Sequence, residues 1–376
     1  MTLGFYVARR FLAIGASTFL AVFALVVVVD LVELLRANEG GRADFATLLG
    51  MAMMRAPSVT ITAAPFTVLL AAMACFAWFA RTSELVVTRA AGVSVWVMLA
   101  PALVVALCMG AVSFAVYNPV AAALAARFEA LEEQYFGRSS SSLSVGSGGI
   151  WLRQGDDSGQ TVIRARRASE QVDRLWRVSV FTFGPDGRFE ERIDARRAVL
   201  EPGAWRLYGA LRWRLDGDLA STTAPQPLAF AGETRPEAFD QLTVPTRLTR
   251  QQILESFAPP RTIAFWELPA FIAVLEDSGF SSARHRLHWH SLLAAPATFF
   301  AMVLFGAAFS MRHARFGGLG VMGLGCVLTG FAYFFLSDVA GALGASGAVP
   351  VALAAWGPPL AAVLTAVGLL LHLEDG

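Results

Sequence analysis

The chain contains no lysine: all 30 of its basic residues are arginine. A phosphate-binding P-loop needs a lysine to reach the nucleotide, so no Walker site resides here. Charge of either sign is scarce. Only 16% of the 376 residues are charged, 56% are hydrophobic and the mean hydropathy is +0.55. Soluble domains carry about 25% charged residues, so this is the composition of a membrane protein. The formal net charge is only +1, which gives no electrostatic footprint for nucleic acid. The three cysteines, Cys75, Cys108 and Cys326, lie inside apolar runs. Their placement excludes a disulfide framework and metal-ligand spacing, and it predicts buried packing. There is no G-x-S-x-G, H-E-x-x-H or S-x-x-K, nor a relay of histidine and aspartate within the apolar runs. The chain is expected not to be an enzyme.

Long hydrophobic runs are what the sequence has in abundance. Six stretches approach the roughly 20 apolar residues needed to cross a bilayer: about 11–34, 56–80, 92–117, 288–311, 316–337 and 349–371. Each is predicted to be a helix, because lipid cannot satisfy backbone groups. Arg9 and Arg10 precede a run too long for a signal peptide and without a cleavage site after it, so the first span is expected to be retained. Arg9, Arg10, Arg81, Arg89, Arg312 and Arg315 gather on one side of the expected topology. The loop over 30–55 and that over 338–348 are less basic, which predicts that both termini face the cytoplasm.

That orientation exports residues 118–287. SSSSLSVGSGG (139–149) reads as a linker. TVIRARR, LWRVSVFTF and WRLYGALRWRL then alternate with period two between the turn signals GPDGR and EPGA. These short strands predict an all-β sandwich or jelly roll. FWELPAFIAVLEDSGF carries Leu268, Phe271, Ile272 and Leu275 on one helical face and is expected to lie on the outer membrane surface. The expected architecture is therefore a membrane α-helical protein of about six transmembrane helices with an inserted extracytoplasmic all-β jelly-roll domain. Its parts are 1–134 with a cytoplasmic segment near 81–92, a β-domain over 135–260, and a connector with the last three spans over 261–376.

Two motifs have bland explanations. GLGVMG (318–323) fits the dinucleotide pattern but opens a transmembrane run, where small residues let helices approach closely. His285, His288 and His290 lack a carboxylate or cysteine to complete a metal site, and read as interfacial residues beside the belt aromatic Trp289. Two polar features remain. Arg36 and Arg42, in VDLVELLRANEGGRADF, sit at the outer leaflet, where a guanidinium grips a phosphate bidentately, and Arg127 could join them. The other is RTSELVVTRAAG (81–92), a polar break between two apolar runs: Arg81, Glu84 and Arg89 frame the apolar Leu85, Val86 and Val87.

RTSELVVTRAAGVS resembles the cytoplasmic coupling segment of the LptF/LptG permeases, R-x-S-E-L-x-x-x-x-A-x-G. GGIWLRQG, GAWRL, the run from LEDSGFSS to FGAAFSM, and GFAYFFLSDVAGALGASGAVPVALAAWGPPL resemble other parts of that family in order. VVDLVELLRANEGG and the last two helices are more similar to the LptG branch than to LptF. The resemblance implies a non-catalytic permease subunit of the ABC transporter that extracts lipopolysaccharide from the inner membrane of Gram-negative bacteria. It implies pairing with LptF, an LptB ATPase dimer that holds the ATP and Mg, and hand-over to LptC and LptA through a periplasmic jelly roll. It places Arg81, Ser83, Glu84, Leu85, Arg89 and Gly92 at the ATPase contact, and Arg36, Arg42 and Arg127 at the lipid phosphates. No cofactor is expected on this chain itself. Arginine stands where the family often has lysine at the outer leaflet, and Trp289, His290 and Ser291 replace a more basic pattern. The main rival is a membrane-anchored structural or signalling protein with an exported β-domain. A mechanotransmitting subunit of the MacB type would need four spans rather than six, and an exported enzyme lacks a nucleophile–base set.

Overall fold

A computed structural model describes residues 3–38, 41, 43–136, 143–146, 149–156, 159–169, 173–184, 186, 188–214, 236–246, 259–277, 281–313 and 319–375. They fall into two compact units: 1–138 with 260–269 and 283–376, and 139–259 with 270–282.

The first unit is helical. Its helices are α1 (Leu3–Ala37), α2 (Phe45–Arg81), α3 (Glu84–Ala90), α4 (Val95–Val112), α5 (Asn118–Phe136), α7 (Ala283–His313), α8 (Leu319–Ala345) and α9 (Val351–Asp375). Among the described residues, six helical runs in it are long and apolar enough to cross a membrane. They are longer than the apolar stretches alone. α1 reaches Ala37 and α2 begins at Phe45, so the connection between them is far shorter than the expected 30–55 loop. The third run does not stop at Asn118–Pro119. A π-turn over Ser113–Tyr117 joins α4 to α5. Pro119 has no N–H to give the carbonyl four residues back, Ala115. The indole Nε1 of Trp266 donates to that carbonyl instead, at 3.1 Å, and the Asn118 side chain accepts from the Phe265 amide at 2.8 Å.

α7 is the centre of this unit, with a continuous buried run from Ala301 to Ala308. Two glycines let it in. A methyl group on Gly110 of α4 would lie 2.4 Å from the Pro296 Cα, and one on Gly306 would lie 2.6 Å from the Ala72 Cβ of α2. Such close approach is how membrane helices gain contact where lipid offers no hydrophobic drive. The Ser310 hydroxyl bonds the Met73 carbonyl at 3.1 Å, and the Thr298 and Tyr333 hydroxyls meet at 2.8 Å. In GLGVMG, by contrast, Gly323 meets nothing; close approaches of α8 are at Gly325, Gly330 and Gly344. Cys75 and Cys326 are buried as expected, whereas Cys108 is exposed on α4.

Among its described residues the second unit carries one antiparallel sheet of seven strands: β1 (Leu143–Gly146), β2 (Gly149–Asp156), β3 (Gly159–Ala168), β4 (Arg174–Phe183), β5 (Phe189–Glu201), β6 (Ala204–Arg214) and β7 (Glu237–Pro245). The inserted domain is all-β as expected, and its described strands follow one another in chain order rather than in a Greek key. The sheet curls over a single apolar core containing Leu152, Ile163, Leu175, Ile193, Trp205 and Val244. Gln154 of β2 bonds the carbonyl of Pro245 and the hydroxyl of Thr246, tying the second strand to the end of the seventh. A short helix, α6 (Leu268–Asp277), has Phe271 and Leu275 in this core. Its apolar face thus covers the sheet rather than lying on a lipid surface, because a sheet with one apolar face must bury it.

The alternation along these strands slips by one residue on a line that crosses the sheet. Ala165, Val178, Ala195, Ala210 and Phe239 are paired in sequence across β3–β7, as are Arg167, Trp176, Arg197, Tyr208 and Gln241. Between these two rows lie Arg166, Arg177, Arg196, Gly209 and Asp240, all exposed. Each strand therefore turns two successive residues outward, so the buried positions on either side differ in parity. Arg177 and Gly209 take the left-handed backbone conformation here, with φ of 53° and 61°.

Candidate functional site

The polar break 81–92 forms two corners around a two-turn helix. α2 ends at Arg81, and Ser83 turns the chain with a left-handed φ of 61°. α3 follows for seven residues, Gly92 stops it with φ of 79°, and the Ser94 hydroxyl caps α4 by accepting from the Val97 amide. Leu85 is buried in the large helical core and anchors α3. Arg81, Ser83, Val87 and Arg89 are exposed, and Glu84 is half-buried. The Tyr6 hydroxyl of α1 donates to the Glu84 carboxylate at 3.3 Å, and the Arg10 guanidinium lies 3.9 Å above the Trp78 ring. Arg81 and Arg89 make no ion pair among the described residues. The structure thus gathers Arg81, Ser83, Glu84, Leu85, Arg89 and Gly92 around one short helix, with the buried Leu85 as an apolar anchor and a mostly polar exposed face among the described residues.

The other rim lies at the far end of α1. From Arg10 to Asp30 is 20 residues, about 30 Å of helix and the thickness of a hydrocarbon core. Arg36 is on the last turn of α1, roughly 9 Å further along. It is exposed, as is Arg127 on α5, and neither forms an ion pair among the described residues. Leu34, Leu48, Met51 and Phe128 form a small core that brings the ends of α1, α2 and α5 together. Arg42 lies outside the described residues, as do Arg315 and the side chain of Arg312. Arg55 is a different case. It belongs to α2, pairs with Glu33 at 3.3 Å and Asp30 at 3.9 Å, and lies 5.6 Å from the Phe128 ring. Asp44 caps α2, accepting from the Thr47 amide at 3.3 Å and from the Thr47 hydroxyl. That hydroxyl bond holds its carboxyl below the usual carboxylate range.

Two hollows complete the helical unit. One, of about 420 Å³ and almost wholly apolar, is lined by Phe11, Phe19, Ile61, Val68, Val105 and Met109. The other, about 220 Å³, is lined by Arg55, Asn118, Glu129, Arg261 and His288. His285 is buried, and no group of metal-binding side chains forms among the described residues. Sequence reasoning missed Tyr6, Trp78 and Arg261, and used Arg10 only as a topological charge. Their partners are distant in the chain, Tyr6 and Glu84 being 78 residues apart, so no local pattern announces them.

A family model described as "Lipopolysaccharide export system permease LptF/LptG" matches residues 5–372, nearly the whole chain. No curated protein matches it.

Proposed function

Because the chain belongs to the LptF/LptG family of lipopolysaccharide export permeases, we propose that it is the LptG-like half of a permease pair driven by a separate ATPase. It is a multi-pass membrane protein, and members of its family are permease components rather than catalysts. In this reading it spans the inner membrane of a Gram-negative cell, with both termini in the cytoplasm and the β-domain in the periplasm. LptF is its paired subunit, an LptB dimer binds ATP and Mg, and LptC and LptA receive the lipid.

The observation that supports this best is the construction of α3. One buried leucine holds the helix to the bundle, while Arg81, Ser83 and Arg89 are exposed and Glu84 is half-exposed beside them. A helix built this way fits a groove on another protein. The Glu84 carboxylate pairs there with a basic side chain of the ATPase, and the Leu85 anchor passes the push of nucleotide-driven closure to α2 and α4. At the opposite rim, Arg36 and Arg127, together with Arg42, grip the lipid phosphates bidentately. The apolar hollow beside α1 takes part of the acyl surface, and closure of the pair drives the lipid toward the β-domain.

The test is purification of the detergent-extracted complex carrying Glu84→Arg. The expected result is loss of the ATPase subunit, or ATP hydrolysis no longer accompanied by lipid release. A fully coupled complex would overturn the assignment. Tyr6→Phe serves as the control: it removes the 3.3 Å bond to Glu84 and leaves the carboxylate in place.

A further inference from the structure

The outer face of the β-sheet, opposite its core, carries a groove of about 800 Å³ along the line where the strand alternation slips. Five arginines line it (Arg164, Arg166, Arg177, Arg192 and Arg196) against two carboxylates, Asp194 and Asp240. Asp194 is already engaged by Arg192 at 2.8 Å. Register places Arg166, Arg177 and Arg196 side by side on three neighbouring strands, between rows whose pairing is fixed on both sides. Adjacent strands are about 4.8 Å apart, and like charges directly opposite one another are destabilising. None of these three guanidiniums forms an ion pair among the described residues.

Two further features keep the row in place at a cost. Arg177 holds a left-handed backbone conformation, rare for a long side chain. Next in the row stands Gly209, and a methyl group there would meet the Arg196 side chain at 3.4 Å. Its left-handed backbone, with φ of 61°, is what favours glycine there, and the Arg196 stem packs beside it at ordinary van der Waals distance. The row thus concentrates three cations on neighbouring strands, with Asp240 as the carboxylate at its far end.

We propose that this groove binds a phosphate-bearing anion, held by Arg166, Arg177 and Arg196. A planar guanidinium matches the phosphate fork, and three in a row suit an anion with more than one phosphate. β3, β4 and β5 are interior strands with their backbone groups already paired. A peptide therefore cannot add to the sheet here, which favours a small phosphorylated ligand over an acidic protein segment. The ligand is either a phosphorylated saccharide or a free phosphate species. This inference stands on the β-domain alone and does not depend on how α3 is used.

The experiment is calorimetric titration of the full chain in phosphatidylcholine nanodiscs with glucose 1,6-bisphosphate, inorganic pyrophosphate and a poly-glutamate peptide. The expected result is binding of the bisphosphate that weakens with added salt. Arg177→Gly should reduce its affinity about tenfold, as the loss of one charge-assisted contact does, while the thermal midpoint of the domain stays level or rises because the strained backbone is relieved. Arg166→Gln combined with Arg196→Gln should remove binding altogether. Stronger binding of the bisphosphate than of pyrophosphate would assign the site to a phosphorylated sugar, and equal binding to phosphate in general. Binding of poly-glutamate alone, or bisphosphate affinity unchanged in the variants, would overturn the proposal.

Discussion

The two rims of the helical unit handle charge in opposite ways. At the α3 rim, Arg10 stacks on Trp78 and Tyr6 reaches Glu84, yet Arg81 and Arg89 stand exposed without an ion pair among the described residues. At the other rim, Arg55 is drawn in by Asp30 and Glu33 while Arg36 and Arg127 are left out. Each rim thus has cations spent on holding helices together and cations left over. The leftover ones are the candidates for a partner or a lipid. Arg55, which has no acidic residue near it in the sequence, turns out to be structural through Asp30 and Glu33 of α1.

This division can be broken experimentally. The largest effect is expected from Glu84→Arg, which should abolish retention of the ATPase in pull-downs while the thermal midpoint moves little. Next comes Arg55→Ala, which strands the buried Asp30 carboxylate. An unpaired buried polar group costs about 1–3 kcal/mol, to be read as a lower unfolding midpoint, and adding Asp30→Asn should restore part of it. Arg36→Glu with Arg127→Glu should leave stability alone and lower photo-crosslinking of lipopolysaccharide about tenfold, the loss of a charged contact. If that pair instead destabilised the protein, the division between structural and spare cations would fail. Arg10→Ala removes a ring contact worth about 0.5–2 kcal/mol and should loosen α1 against α2, seen as faster hydrogen exchange near Trp78.

The smallest effect concerns Asp44. Its folded carboxyl is held below the unfolded value of about 4. Its contribution is therefore fully present above that value and is lost as pH falls through the lower, folded one. Exchange of the Thr47 and Leu48 amides should quicken only below about pH 4. Asp44→Asn, itself a good cap, should remove the pH dependence, and Asp44→Ala should quicken exchange at every pH.

Hydropathy made the spans legible because lipid imposes one requirement on every residue of a crossing helix. It did not give their ends. α5 continues past Pro119 because Trp266, 151 residues away from Ala115, supplies the donor that the proline lacks. Period-two alternation located the β-domain, but it did not show the aligned slip at Arg166–Arg167 and Arg196–Arg197, since only pairing between strands reveals the alignment. The helix around Phe271 looked like a surface helix because an apolar stripe does not say what covers it. The α3 segment was the most legible site, because all six of its residues fall within the one short stretch 81–92. Tyr6 and Arg10, which brace it, were hidden by their distance in the chain.

α1 joins the two rims as one unbroken rod. From Tyr6 to Arg36 it is about 45 Å long at 1.5 Å per residue, and only 6% of its most apolar stretch is enclosed by the rest of the chain. A stiff member so lightly clasped works as a seesaw. A tilt of about 5° around its midpoint carries each end through roughly 2 Å, in opposite directions. A displacement at Tyr6, beside Glu84, would thus reach Arg36 at the other end of α1 without any helix having to bend.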